Sequence, residues 1–186
     1  MKGIVSFWFG AGLIWPVLPP YIINELHAPT AYFAIVAVLS AATGVVVQRI
    51  WGRMGDEKGA QRILLIGGIG AGIVPTLWAL LPVYWLGFAV EIVASSCWPG
   101  HMMGLTLRSV ELAEHDAERP NLLAWTSLGQ GAGSFLSPLI ASVLVGFVGT
   151  IPLLVASSVI RIGATFEIAT PPGLVSDGFV RRLDRP

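Results

Sequence analysis

Long apolar stretches alternate with short polar ones along almost the whole chain. A helix needs about 20 apolar residues, rising about 1.5 Å each, to cross the hydrocarbon core of a bilayer. Runs of that kind predict helical spans over residues 4–24, 31–50, 63–81, 84–107, 122–145 and 148–168. The connections after the first, third and fifth spans are short: Glu25 to Thr30, Leu81 to Val83, and Gly146 to Gly149. Those after the second and fourth are polar, Trp51 to Arg62 and Arg108 to Asn121. The pattern predicts a six-helix transmembrane bundle over residues 1–168 and a cytoplasmic C-terminal tail over 169–186. Met1-Lys2 ahead of an apolar run imitates a secretory signal. The run reaches Asn24, however, lacks a small-x-small cleavage site and holds Pro16, Pro19 and Pro20, so it reads as a retained helix.

Composition sharpens this picture. Of the 186 residues, 54% are hydrophobic and only 12% charged, against about 25% charged in a soluble domain. Mean hydropathy is +0.75. So short a chain cannot hide that apolar excess from water, so its main partner is the lipid bilayer. The formal net charge is zero, which points away from a nucleic-acid partner. Cys97, the single cysteine, lies in an apolar run with no metal-ligand cluster and reads as a small buried hydrophobe. No G-x-x-x-x-G-K-[ST] run is present, so neither a nucleotide site nor any other cofactor is expected.

Charge placement predicts orientation. All eleven lysines and arginines fall on one side of the six-span arrangement. They are Lys2, Arg49, Arg53, Lys58, Arg62, Arg108, Arg119, Arg161, Arg181, Arg182 and Arg185. The positive-inside rule then puts both termini and the two polar connections in the cytoplasm, for a multi-pass protein of the plasma (inner) membrane. Arg161 lies well inside the last span, so either its side chain snorkels to the inner headgroups or the helix ends early. Tyr21, Tyr32, Trp78, Tyr84 and Trp85 are expected near the outer interface, Trp51 and Trp125 near the inner one. Gly68-x-x-x-Gly72 and Gly129-x-x-x-Gly133 predict close helix packing, and Pro16, Pro75, Pro99 and Pro138 predict bends.

The connection after the second span reads Trp51-Gly52-Arg53-Met54-Gly55-Asp56-Glu57-Lys58-Gly59-Ala60-Gln61-Arg62. Its glycines suit a tight turn between antiparallel helices. Asp56 can accept hydrogen bonds near a helix N-terminus, and Arg53 and Arg62 can pair with it or with lipid phosphates. The plain alternative is a generic charged turn. This segment resembles the signature G-x-L-A-D-R-x-G-R-R of the major facilitator superfamily, matched at Gly52, Gly55, Asp56, Gly59 and Arg62. Met54, Glu57 and Ala60 depart from it, and the weakened form points to a C-terminal half. Pro19-Pro20-Tyr21 and the stretch Gly133 to Leu139 are similar to further family features. The resemblance implies an all-α polytopic membrane protein with six transmembrane helices as two inverted three-helix repeats. It also implies a secondary transporter working by alternating access, with Gly52, Arg53, Gly55, Asp56, Gly59 and Arg62 as its gating loop. A complete transporter of the family has two six-helix halves. The chain is then a truncated product, a half that joins a separate chain, or a half that homodimerises.

In such a family the first and fourth helices of a half line the central cavity, while the third and sixth face outward. Candidate residues of a substrate or ion pathway are therefore Glu91, Ser95, Trp98 and His101 in the fourth span, Gln130 in the fifth and Trp15 in the first. Glu91, Ser95, Trp98 and Met102 share one helical face. An ionised side chain costs roughly 3 kcal/mol at mid-bilayer, so Glu91 either binds a proton or cationic group or serves as a structural acceptor. His101 reads as a packing residue or a relay, Gln130 as a hydrogen-bonding group and Trp15 as a stacking one. Gln48 is placed to brace the signature loop, and Glu111, Glu114, Asp116 and Glu118 form a solvated loop face. Two rival functions remain. One is a non-transporting membrane scaffold. The other is an intramembrane hydrolase built on Ser134 of Gly131-Ala132-Gly133-Ser134 with His101 as its base.

Overall fold

The computed structural model describes residues 1–113 and 115–170, and all regular structure among them is helical. Helices run over Lys2–Gly12 (α1), Leu18–Asn24 (α2), Ala31–Lys58 (α3), Ala60–Ala79 (α4), Gly87–Glu111 (α5), Arg119–Val148 (α6) and Thr150–Ala169 (α7). Single 3-10 turns, Tyr84–Leu86 and Asp116–Glu118, lead into α5 and α6. Helices α3, α4, α6 and α7 are long and apolar enough to cross a membrane. Helix α5 has 25 residues but carries Glu91, Ser95, Ser96 and His101, which dilute its apolar character. The expected span 4–24 is not one helix. It breaks between Gly12 and Leu18, where Pro16 lacks the N–H that would continue the ladder. The tail from residue 171, with Arg181, Arg182 and Arg185, lies outside the described residues, as does Glu114.

Two of the joints are a single glycine long. Gly59 joins α3 to α4 at φ 80°, ψ 163°, and Gly149 joins α6 to α7 at φ 81°, ψ 173°. That backbone region is open essentially to glycine alone, because a Cβ would collide with the chain. Each glycine N–H closes the preceding helix, Gly59 onto Gly55 O at 2.9 Å and Gly149 onto Val145 O at 3.0 Å. The expected polar loop Trp51 to Arg62 is therefore helix up to Lys58 and again from Ala60.

Packing follows the small residues. The close pairs are α4 with α5 and α7, α1 with α6 and α7, and α3 with α5. Gly67 lies on the α5 backbone, where a Cβ would stand 2.3 Å from the His101 nitrogen. Gly68 and Gly72 face Thr165 and Ile162 of α7, and Gly129 and Gly133 face Ile4 and the Val5–Phe9 backbone of α1. Both small-xxx-small pairs thus sit in helix contacts. Because its glycines let α4 nest between α5 and α7, the third and sixth spans are the more buried of the four long apolar helices. Helices α3 and α6 are instead the exposed ones, with Val38, Val45, Phe135 and Phe147 turned outward.

Hydroxyls rarely stay unpaired in this interior. Ser109, Thr126, Ser137 and Thr165 each donate to the carbonyl four residues back on their own helix, at 2.8–2.9 Å. Others tie helices together. Ser157 donates to Gly10 O at 2.7 Å, and Ser158 accepts from the Thr76 amide at 3.0 Å, where Pro75 interrupts α4. The aromatics expected near the outer interface pack mainly on one another. Tyr21, Tyr32 and Trp78 are buried together with Tyr84 and Phe88 around them, mostly edge to face, and of the five expected at that interface Trp85 is the one left largely exposed.

Gly67→Ala is expected to lower stability by about 1–3 kcal/mol, since overpacking against backbone outweighs alanine's better helix propensity. Gly131→Ala, whose added methyl would meet nothing within 4 Å, is expected to leave stability unchanged or slightly raised. Thermal unfolding of the two variants in detergent checks the contrast.

Candidate functional site

The sequence-predicted residues fall into separate places. In the second turn of α5, Glu91 Oε1 accepts from Ser40 Oγ of α3 at 2.7 Å and from Ser95 Oγ at 3.3 Å. This bond carries α3 against α5, and it gives Glu91 the structural acceptor role as well as a position in a polar pair. Trp15 lies in the break between α1 and α2, 71% exposed and apart from the other candidates. Gln130, on α6, is partly buried and makes no side-chain hydrogen bond among the described residues.

His101 is ten residues beyond Glu91, about 15 Å further along α5. It is fully buried, its ring stacked on Phe7 of α1 at 3.7 Å between centroids and 15° between planes. Trp98 and Trp8 close around it, 5.4 Å apart and edge to face, with Trp98 6.2 Å from the imidazole. Over these rings lies Arg161 of α7, its guanidinium carbon 5.1 Å from the Phe7 centroid and 5.7 Å from that of Trp98. Trp98 and His101 therefore belong to one cluster, and Glu91 and Ser95 to another.

Arg161 overturns both expectations held for it. It neither snorkels nor marks a helix end, because α7 continues to Ala169 and the residue is 4% exposed. Its aliphatic stem packs against Gly10, where any Cβ would strike it. Two aromatic faces contribute about 2 kcal/mol each to a desolvated cation. Burying an unpaired ion costs several kcal/mol even after relaxation, so the rings offset only part of it. Sequence reasoning missed this residue as a site, although Ser157, Ser158, Arg161 and Thr165 recur at helical spacing on one buried face of α7. Nothing in the apolar run of α1 singles out Phe7 or Trp8.

The signature segment forms the last two turns of α3. Trp51 is packed inside the bundle: it is 7% exposed, lies flat on Gly100, and donates its indole N–H to Ser96 O at 2.6 Å. Gly55 meets Leu107 of α5. Asp56 sits at the C-terminal end of α3, where the helix dipole does not favour an acid, and forms no ion pair with Arg53 or Arg62 among the described residues. The ion pairs there are Arg108 with Glu111 and Arg119 with Asp116. Arg49, Arg53 and Lys58 line an open groove of about 390 Å³ on the outer face of α3. Gln48 is exposed and braces nothing; Gln61 does so instead, donating to Ala169 O at 2.9 Å and tying the start of α4 to the end of α7. The hydrolase alternative fails on geometry, since neither ring nitrogen of His101 has a hydrogen-bond partner and none therefore reaches Ser134.

Trp51→Phe is expected to cost about 1 kcal/mol through the lost indole bond, and Trp51→Ala about 3–5 kcal/mol through the cavity left on Gly100. Thermal unfolding in detergent, with both variants side by side, separates the two contributions.

Comparison with known proteins bears on the family. The chain is 30% identical over 87 residues to the class C tetracycline resistance protein of Escherichia coli, covering 46% of this chain and 22% of that one. It is 24% identical over 150 residues to the class G tetracycline resistance protein of Vibrio anguillarum, covering 80% of this chain and 38% of the relative. The chain thus spans less than two fifths of the length of either relative. No solved structure matches it significantly. The Major Facilitator Superfamily pattern matches residues 3–176, nearly the entire chain, and with its apolar helices this multi-pass membrane protein belongs to that family of transporters and not to an enzyme family.

Proposed function

We propose that the chain is one six-helix half of a secondary transporter that moves a small solute by alternating access. The observation that carries this reading is the family match over residues 3–176. In this reading α1 and α2 together make the first span and α5 the fourth, giving six. The two units, α1 to α4 and α5 to α7, are inverted repeats. Their packing supports this, because exchanging the units maps the α1–α6 contact onto α3–α5, and α1–α7 onto α4–α5. The matched glycine joints at Gly59 and Gly149 fall at equivalent places.

The exposed apolar faces of α3 and α6 receive the second bundle, either another copy or a separate chain, while the remaining apolar surface meets lipid. Both termini face the cytoplasm of the plasma membrane, with Arg49, Arg53, Lys58 and Arg62 at the inner leaflet. The end of α3, from Gly52 to Arg62, then serves as the gating segment, acting through Trp51 and Gly55 on α5. Glu91, with Ser95 and Ser40, binds a proton or a cationic group on the pathway. Trp98 and His101 lie deeper on the same helix, and Gln130 and Trp15 border the route from α6 and α1. Energy comes from an ion gradient or from the solute's own gradient. Tetracycline is the first solute to test, since two relatives are named for resistance to it.

Purified protein in liposomes, alone and co-expressed with a neighbouring six-helix half, is expected to take up solute when a proton gradient is imposed. Glu91→Gln is expected to reduce that uptake at least tenfold, with thermal stability changed by about 1 kcal/mol or less because the amide still accepts from Ser40. Uptake that is absent under every gradient and pairing leaves the scaffold reading in its place.

A further inference from the structure

Six buried side-chain nitrogen and oxygen atoms lack a hydrogen-bond partner among the described residues, and four of them belong to one cluster. They are Trp8 Nε1, both ring nitrogens of His101, and Arg161 Nε, on α1, α5 and α7. Their chemistry is one-sided. An indole N–H and a guanidinium can only donate, and an imidazole offers at most one acceptor. No carboxylate answers them: Glu91 is taken up by Ser40 and Ser95, and Glu167, further along α7, is exposed. The walls are aromatic, Phe7 and Trp98, so the donors are held in a surrounding that strengthens any charge they meet. Trp8 and Trp98 are only partly buried, which keeps the cluster within reach of the bundle surface.

We propose that Trp8, His101 and Arg161 form a binding site for one small monovalent anion, a halide or a carboxylate group, in the middle of the bundle. The anion accepts from the guanidinium and the indole, with the imidazole on the far side, and neutralises the buried cation. This inference goes beyond the transport reading and does not rest on it, since binding is read in detergent with no solute movement.

The test is the melting temperature of the full chain in detergent, in low-salt Tris–sulfate buffer with chloride or formate added. A ligand that binds only the folded state raises that temperature, by several degrees at about a hundredfold excess over its Kd. The wild type is expected to show the rise, and whichever of chloride and formate saturates first identifies the source. Arg161→Met is expected to melt higher than wild type before either anion is added, having lost its uncompensated charge, and to gain nothing from either. His101→Phe keeps the stack on Phe7 and is expected to weaken the half-saturating concentration about tenfold, which provides a reading if Arg161→Met does not fold. Equal increments in wild type and Arg161→Met overturn the proposal. So does a flat response to both anions, including the case in which Arg161→Met abolishes self-association and so assigns the acceptor to a carboxylate of a second bundle.

Discussion

The distance at which α4 lies from α5 and α7 governs the rest of the bundle, and side chains that are missing set it. Lipid tails give apolar helices no reason to associate, so contact between them relies on close fit and on hydrogen bonds between helices. Gly67 removes the side chain from the α4 face toward α5, and Gly68 and Gly72 from the face toward α7, so backbone meets backbone on one side and the Thr165 and Ile162 side chains on the other. At that spacing Ser158 reaches the Thr76 amide and Gln61 reaches the end of α7. Helix α5, pressed on the other side, presents His101 to Phe7. The polar cluster and the support of the signature segment both depend on the same glycine-lined contacts.

Most polar groups inside the bundle follow one rule. Hydroxyls turn back onto their own helix or bridge to a neighbour, because an unpaired group in a water-poor interior costs more than the bond it forgoes. The Tyr32 hydroxyl and nitrogens of Trp8, His101, Arg108 and Arg161 are the exceptions among the described residues. Burying Arg161 and His101 without partners at the junction of α1, α5 and α7 costs stability. The cluster joins α1, α5 and α7, helices far apart along the chain.

The signature segment acquires a different physical meaning once it is helical. A flexible loop would transmit little. A rigid extension of α3, pinned to α5 by the Trp51 indole and the Gly55 contact and turned by one glycine, moves with the helix that carries it. Its cations stand free along the outer face, available to lipid phosphates or to another bundle.

Hydropathy alone determined the membrane setting, the apolar runs and their order, because a bilayer imposes its thickness on any sequence that crosses it. The spacing of Gly52, Gly55, Asp56, Gly59 and Arg62 was enough to reveal the family. Small-residue pairs also foretold contacts, since close approach has a local cause. Partner identity was not legible. Glu91 read as an isolated acid until α3 brought Ser40 to it, and Arg161 read as interfacial until α7 proved to continue past it. Trp51 and Tyr32 looked like membrane-surface aromatics for the same reason. A single helix shows which face a side chain occupies, but only the packing of the helices together decides whether that face meets lipid, water or another ring. Burial and pairing are properties of contacts between distant segments, and no local pattern encodes them.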